Sequence, residues 1–361
     1  MDYKDKPNLL LEALAYLGRK ASGNTWDHLE QKIKQRKLKD KDSFHQTFSK
    51  LKELTIRMDK NISINEDILN KYFANLEGFP FNTIGSTSVA FLLFYNVLEE
   101  FDEDFDSLIS YMKGFSHDRV AYNIAEALDI SDNCNIPGSL NDREFLDKIL
   151  LLSVPAEIKI VILDTYRNYQ EVLNEISCCL KIVINTLKKE KNSLTDIIDN
   201  FSIEVVDTGY MEFFKKISKL KPVDEIEYHL RPFIFGMDTN LTSNVNINNV
   251  NIYCGILRKD LLDMLNGQIS YVDNVYEAYH LLGDRTRFDI LCYLRQQSAY
   301  GIELSNHLNL SRNTIHHHMS KLINHGFVVC TTDGKRVYYS LDTEAFETFL
   351  TSQKDLFCNK S

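Results

Sequence analysis

The stretch Ser311-Arg-Asn-Thr-Ile-His-His-His-Met-Ser-Lys-Leu-Ile-Asn-His325 decides how the C-terminal part of the chain is read. Wound at about 100° per residue, it places Ile315, Met319 and Leu322 on one narrow apolar stripe. Asn313, His316, His317, Ser320 and Asn324 gather on the other side, with Lys321 on the flank. A short helix docked by three apolar side chains, turning hydrogen-bonding groups outward and carrying no acid, is built like a helix that reads DNA. A solvated surface helix has the same pattern, so the flanking sequence must separate the two.

The flanks supply the punctuation. Ser311 suits the N-cap and Gly326 the residue after the last turn. Upstream, the pattern predicts a helix over Val272–Leu282 stopped at Gly283. A second helix follows, capped by Asp284 with the apolar row Phe288, Ile290, Leu291 and Leu294, and then a short one over Ala299–Leu308. Asn309-Leu310 is a tight turn. Downstream, Phe327–Thr332 and Lys335–Leu341 read as strands around Asp333-Gly334, a strong two-residue hairpin signal. The order is that of a winged helix-turn-helix.

Several of these segments together resemble the ArsR-type winged helix of bacterial transcriptional repressors. They are Leu282–Leu291, Glu303-Leu304-Ser305, Leu310–Met319, Leu322–Val328 and Gly334–Tyr339, and the resemblance covers about seventy residues, one fifth of the chain. The leading helical region is faintly similar to that of other long regulators with a C-terminal ArsR-type domain. The resemblance implies a homodimeric repressor on a palindromic operator. Metal-sensing members place thiolates in the segment equivalent to Ala299–Leu304, which here contains no cysteine. The helix after the wing, Thr343–Leu350, has Glu344 and Glu347 but no histidine. Neither metal nor cofactor is therefore expected.

Each candidate residue has a physical role. Asn313 can make a bidentate contact to adenine, and His316, His317 and Ser320 can reach base edges. Arg312, Lys321, Lys335 and Arg336 suit phosphates or the adjacent minor groove. The backbone N–H groups of Ser311 to Thr314 present a helix N-terminus to phosphate. His316, His317 and His318 point about 100° apart and cannot close around one ion. His318, beside the apolar stripe, either buries against the domain or reaches phosphate. Protonation of these imidazoles would tune DNA affinity near neutral pH.

The chain has 361 residues, room for two or three domains, and a formal net charge of −10, so any nucleic-acid-binding surface must be local. Residues 272–342 hold seven acids and seven bases, and 311–340 a net of +3 (Asp333 against Arg312, Lys321, Lys335 and Arg336). With few cations per subunit, affinity should depend on two copies binding two half-sites. Seven cysteines without a C-x-x-C spacing argue against a disulfide framework and for a reducing cytoplasm. The Cys178-Cys179 pair leaves redox sensing as a minor option, while Cys292 and Cys330 read as buried thiols. Asp2 and Asp5 oppose a secretory signal, and the Val89–Tyr95 run is too short to span a bilayer. A cytoplasmic protein without membrane contact is expected.

Residues 1–220 read as a helical effector or dimerisation domain, 221–268 as a small mixed α/β segment and 269–361 as the DNA-binding domain, a mainly α chain overall. The first helix begins after Pro7 and is closed by Gly18; others fall over Thr25–Leu38, around Phe44–Leu54 and around Ile68–Phe73. A break at Gly78–Phe81 follows, then a buried helix over Ser88–Phe101. Shorter helices fit Phe105–Phe115, Val120–Leu128 and Arg143–Leu152. A long helix from Pro155 to Leu187 either forms a dimer seam or packs its own domain. Past Pro222, the runs Ile226–Leu230, Pro232–Met237 and Val250–Leu257 look like strands around an Asn-rich loop, Asp238–Asn249, with a helix over Lys259–Leu265 after them. Trp26, Phe79, Phe81, Phe91, Phe94 and Tyr95 either line an apolar effector pocket or pack a core.

No G-x-G-x-x-G, P-loop, H-E-x-x-H or G-x-S-x-G motif is present, and no catalytic residue is assigned. The expected function is sequence-specific DNA binding by a dimeric repressor whose N-terminal region senses an unknown effector, a small molecule among the candidates, or mediates dimerisation. The alternative is an enzyme or protein-interaction module carrying a winged helix that regulates or docks it.

Overall fold

The computed structural model describes residues 1–23, 42–77, 87–101, 104–128, 130–131, 138–152, 154–217, 222, 225–246, 248–266, 271–310, 312–333 and 336–358. Two hydrophobic cores organise them. One runs from Leu10 to Leu257, and the other gathers residues between Ala278 and Tyr339. The chain is mainly α, with a small strand-containing segment before a C-terminal winged helix.

The first core is built on α1 (Leu9–Ala21), where Asn8 Oδ1 accepts from the Leu10 and Leu11 N–H groups, both at 3.1 Å. Every residue from Leu10 to Gly18 is buried, so α1 is a central helix, and it runs on past Gly18 to Ala21. Around it lie α2 (Asp42–Asn61), α3 (Glu66–Phe73), α4 (Val89–Phe94), α5 (Phe105–Lys113), α6 (His117–Ala127) and α7 (Asp142–Leu150). Four more follow: α8 (Ala156–Arg167), α9 (Tyr169–Lys189), α10 (Lys191–Thr208) and α11 (Tyr210–Ile217).

Two helical readings need correcting. The helix expected over Ser88–Phe101 ends at Phe94 and tightens into a 3-10 turn over Tyr95–Val97. The long helix from Pro155 breaks at Asn168, where φ −103° and ψ 28° leave the helical range. Its apolar face, Leu173, Ile176, Leu180, Val183 and Leu187, is buried in the chain's own core, which settles the packing alternative against a seam. The predicted Thr25–Leu38 helix and the Gly78–Phe81 break lie outside the described residues.

The sheet in this core has the order β1-β2-β4-β3, made by β1 (Asp2–Tyr3), β2 (Glu227–Phe233), β3 (Asn240–Asn246) and β4 (Asn249–Gly255). β2 lies parallel to β1 and β4, and β3 antiparallel to β4. The segment read as an Asn-rich loop is thus mostly strand β3, its backbone held by β4 from Asn240↔Cys254 to Asn246↔Asn249. The run Pro232–Met237 is not a strand of its own. β2 stops at Phe233, and residues 234–238 turn back because α1 holds them. Glu12, buried in α1, accepts from the Ile234 and Phe235 N–H groups at 2.8 Å each. Arg19 donates to the Phe235 and Gly236 carbonyls and pairs with Asp238 at 3.3 Å. Gly255 permits the close approach: a Cβ there would meet the Met237 carbonyl oxygen at 2.3 Å.

α12 (Arg258–Asn266) closes this part. Among the described residues no helix is long and apolar enough to cross a membrane.

Removing the Glu12 carboxylate by Glu12→Ala leaves two buried N–H donors without an acceptor. A loss of roughly 2–4 kcal/mol is expected in chemical denaturation, and an unchanged midpoint would refute the clamp. Burial also pushes the Glu12 carboxyl up to about 8 from 4.5. The folded state therefore holds a proton that the unfolded state releases between those values, and this group's contribution to stability falls as pH rises through that window. Glu12→Gln should flatten that part of a melting-temperature profile.

Candidate nucleic-acid interface

The C-terminal domain runs α13 (Tyr271–Leu282), α14 (Arg285–Leu294), β5 (Ala299–Tyr300), α15 (Gly301–Leu308), α16 (Arg312–His325), β6 (Val328–Asp333), β7 (Arg336–Leu341) and α17 (Thr343–Cys358). Ala299 and Tyr300 are therefore a strand and not the first turn of a helix; they pair with Tyr339 and Tyr338 of β7 and give the sheet order β5-β7-β6. Local chemistry sets each boundary. Asp284 caps α14 by accepting from the Arg287 N–H at 3.0 Å. The Glu303 carboxylate accepts from the Tyr300 N–H at 3.1 Å.

The turn of the helix-turn-helix depends on one left-handed residue. Asn309 sits at φ 52°, and around it the Leu310 N–H donates to the Ser305 carbonyl while the Ser305 hydroxyl donates to the Leu310 carbonyl at 2.6 Å. At the far end of α16, Gly326 takes φ 91° and the Phe327 N–H returns to the Leu322 carbonyl at 3.0 Å, a Schellman closure. Phe327 then packs against Phe346 and Phe349 of α17.

α16 is docked by its predicted stripe: Ile315, Met319 and Leu322 are each no more than 1 % exposed. Beneath them lie Ile290, Leu291 and Leu294 of α14, Leu304 of α15, and Val328, Cys330 and Tyr339 of the wing. His317 and Lys321 are exposed on the opposite side, and Ser320 and Thr314 are half-buried beside them. The helical register carries positions 313 and 324 to that same sector and position 316 to its edge. Arg312 opens α16 and Arg336 opens β7, whereas Ser311 and Lys335 lie outside the described residues. Among the candidates whose side chains the structure describes, His317, Ser320 and Lys321 thus lie together on the side of α16 away from the buried stripe.

Two core assignments fail. Phe288 is 50 % exposed and Cys292 is also exposed, because α14 turns both away from the packed face. Cys330 is buried, and burial pushes its thiol up to about 12.

Sequence reading left His318 between two surroundings, and the structure chooses one. Its side chain is 13 % exposed, with Nδ1 at 3.7 Å from Asp284 Oδ1. Burial holds its pKa below the ordinary histidine value, opposed by Asp284 and reinforced by Arg287, His317 and Lys321.

Residues 284–329 match the family model described as bacterial regulatory protein, arsR family. No curated protein and no solved structure matches the chain. The C-terminal domain is therefore an ArsR-type helix-turn-helix, the kind of module that DNA-binding transcriptional regulators carry.

The Asn309 turn is testable by stability. Asn309→Gly keeps the left-handed conformation at no steric cost, whereas Asn309→Val forces a β-branched residue into it and is expected to cost at least about 1–2 kcal/mol. Equal denaturation midpoints for the two variants would reject the assigned role.

Proposed function

We propose that this chain is a sequence-specific, cytoplasmic transcriptional repressor that binds a palindromic operator as a homodimer, its N-terminal domain answering to a small-molecule effector. The observation that carries the reading is α16 itself. In an ArsR-type domain it is seated by Ile315, Met319 and Leu322 and turns His317 and Lys321 outward beside Ser320. Asn313, His316, His317 and Ser320 read base edges. Arg312, Lys321, Lys335 and Arg336 hold phosphates, with Ser311 and Thr314 at the helix N-terminus. Catalysis has no part in this reading, since the sequence offers neither a phosphate-cradling glycine loop nor a nucleophile-and-base motif.

Self-association is supported by apolar side chains left in solvent on two helices that pack together. Tyr276 and Tyr279 of α13 are 70 % and 47 % exposed, and Leu350 and Phe357 of α17 are 59 % and 69 % exposed. Tyr279 meets Phe349 across the α13–α17 contact, ring centroids 5.7 Å apart. A second copy covering this face would bring two α16 helices to one duplex and supply the cations that a single domain lacks.

Selection of duplexes from a random pool by the purified protein should enrich a palindrome; no enrichment together with no salt-dependent binding sinks the reading. Within the selected site, Asn313→Ala should relax preference at one position by about 1–3 kcal/mol. Lys335→Ala should weaken all sequences alike and lower the salt slope by about one. Replacing Tyr276 and Leu350 with Asp should halve the mass measured by sedimentation, and an unchanged mass would place the dimer contact elsewhere.

A further inference from the structure

Asp284, Arg287 and His318 form a cluster that the DNA-reading strip does not use, at the corner where α13 ends, α14 begins and α16 crosses them. Arg287 is 6 % exposed; its Nε donates to the Leu281 carbonyl at 2.6 Å and its NH2 group to the His280 carbonyl at 3.2 Å, so it holds the last turn of α13. Asp284 caps α14 and lies 3.6 Å from the Arg287 NH1 group. The third member comes from α16: His318 Nδ1 is buried, has no hydrogen-bond partner among the described residues, and faces the Asp284 carboxylate across 3.7 Å. That distance is too long for a hydrogen bond and short enough for one to form with a small shift.

We propose that His318 and Asp284 are positioning residues that seat the reading helix on the α13–α14 corner, the pair closing when His318 is protonated, so that DNA affinity rises as pH falls. The inference rests on the DNA-binding reading of α16 and adds its regulation. The charged groups acting on the imidazole are Asp284 and Arg287 from α14 and His317 and Lys321 from α16 itself, while α13 presents the His280 and Leu281 carbonyls to Arg287. In the free protein, burial and the three cationic or titratable neighbours keep His318 neutral at neutral pH, against the pull of Asp284. Phosphates drawn to α16 add negative potential, which favours the imidazolium, so binding takes up a proton at this site. By linkage, an equilibrium that takes up a proton is favoured at lower pH. The new Nδ1–H then donates to the Asp284 carboxylate and ties α16 to the corner by a charge-assisted bond.

The test uses the full chain and the duplex that it selects from a random pool, with affinity followed from pH 8 to pH 5.5. Asp284→Asn retains an effective N-cap and removes only the charge, and His318→Gln retains a polar side chain of similar reach without titrating. Wild type should gain about three- to tenfold more affinity over this range than His318→Gln. Asp284→Asn should displace the gain to lower pH, and the double variant should behave as His318→Gln alone. His316 and His317 are common to every variant, so their effects cancel in this double-mutant cycle. Independently of DNA, the His318 imidazole resonance should titrate at lower pH in Asp284→Asn than in wild type. Binding by wild type with superimposable pH profiles for all variants, or a His318 titration indifferent to Asp284→Asn, overturns the pair and leaves the DNA-binding reading intact. No binding by wild type at any pH overturns both.

Discussion

The N-terminal domain turns on one buried carboxyl group. Glu12 lies in the middle of a helix whose other faces are apolar, and it accepts from two consecutive backbone N–H groups more than two hundred residues away. No apolar side chain can take its place, because residues 234–238 leave β2 with donors that neither strand nor water reaches. Arg19, two turns on, holds carbonyls of the same turn, and Arg258 donates from α12 to the Asp238 and Ile217 carbonyls. Sheet, α1, α11 and α12 thus meet at a single turn. Its tightness is visible in Met237, which takes φ 47°. The strands of residues 227–255 accordingly share their core with the helices: Tyr228, Leu230, Val250 and Ile252 belong to the same cluster as Leu10 and Leu14.

The winged helix was the most legible part of the sequence, and the reason is locality. Asp284 as a cap, Gly326 as a left-handed stop and the hairpin around residues 333–334 each act within a few residues, so each can be recognised without knowing the rest of the fold. The stripe of Ile315, Met319 and Leu322 has its meaning in helical period alone. Upstream, the deciding partners are distant. β3 contains Asn240, Asn244 and Asn246, residues that favour turns, and it becomes a strand because β4 supplies its hydrogen bonds. β1 is two residues long and exists because Asp2 and Tyr3 meet His229 and Leu230. Glu12 stands alone as a charge within the apolar run Leu9 to Leu17, and only the turn after β2 explains it.

The same distinction runs through the candidate site. Period places residues on the outward or the inward side of α16, but those at the edge depend on what the neighbouring helix presents. His318 is such a residue, and the charge facing it belongs to a helix cap thirty-four positions earlier. Phe288 and Cys292 fail for a related reason. They lie one helical turn apart on α14, and the core takes the face of Ile290, Leu291 and Leu294 instead.

Charge and connectivity together explain why the α13–α14 corner matters. The chain is acidic overall, whereas residues 311–340 carry a small positive excess, so the cationic character of the C-terminal domain is local and slight. The polypeptide enters the winged helix through α13, which joins the second core at Ala278 and ends in the two carbonyls that Arg287 holds. Arg287 in turn lies beside the carboxylate that faces His318. α13 therefore supplies the acceptors that hold Arg287 beside Asp284. Covalent entry to the domain is thus joined to α16 through two side chains, beside the packed core in which Ala278, Ile315 and Met319 also meet.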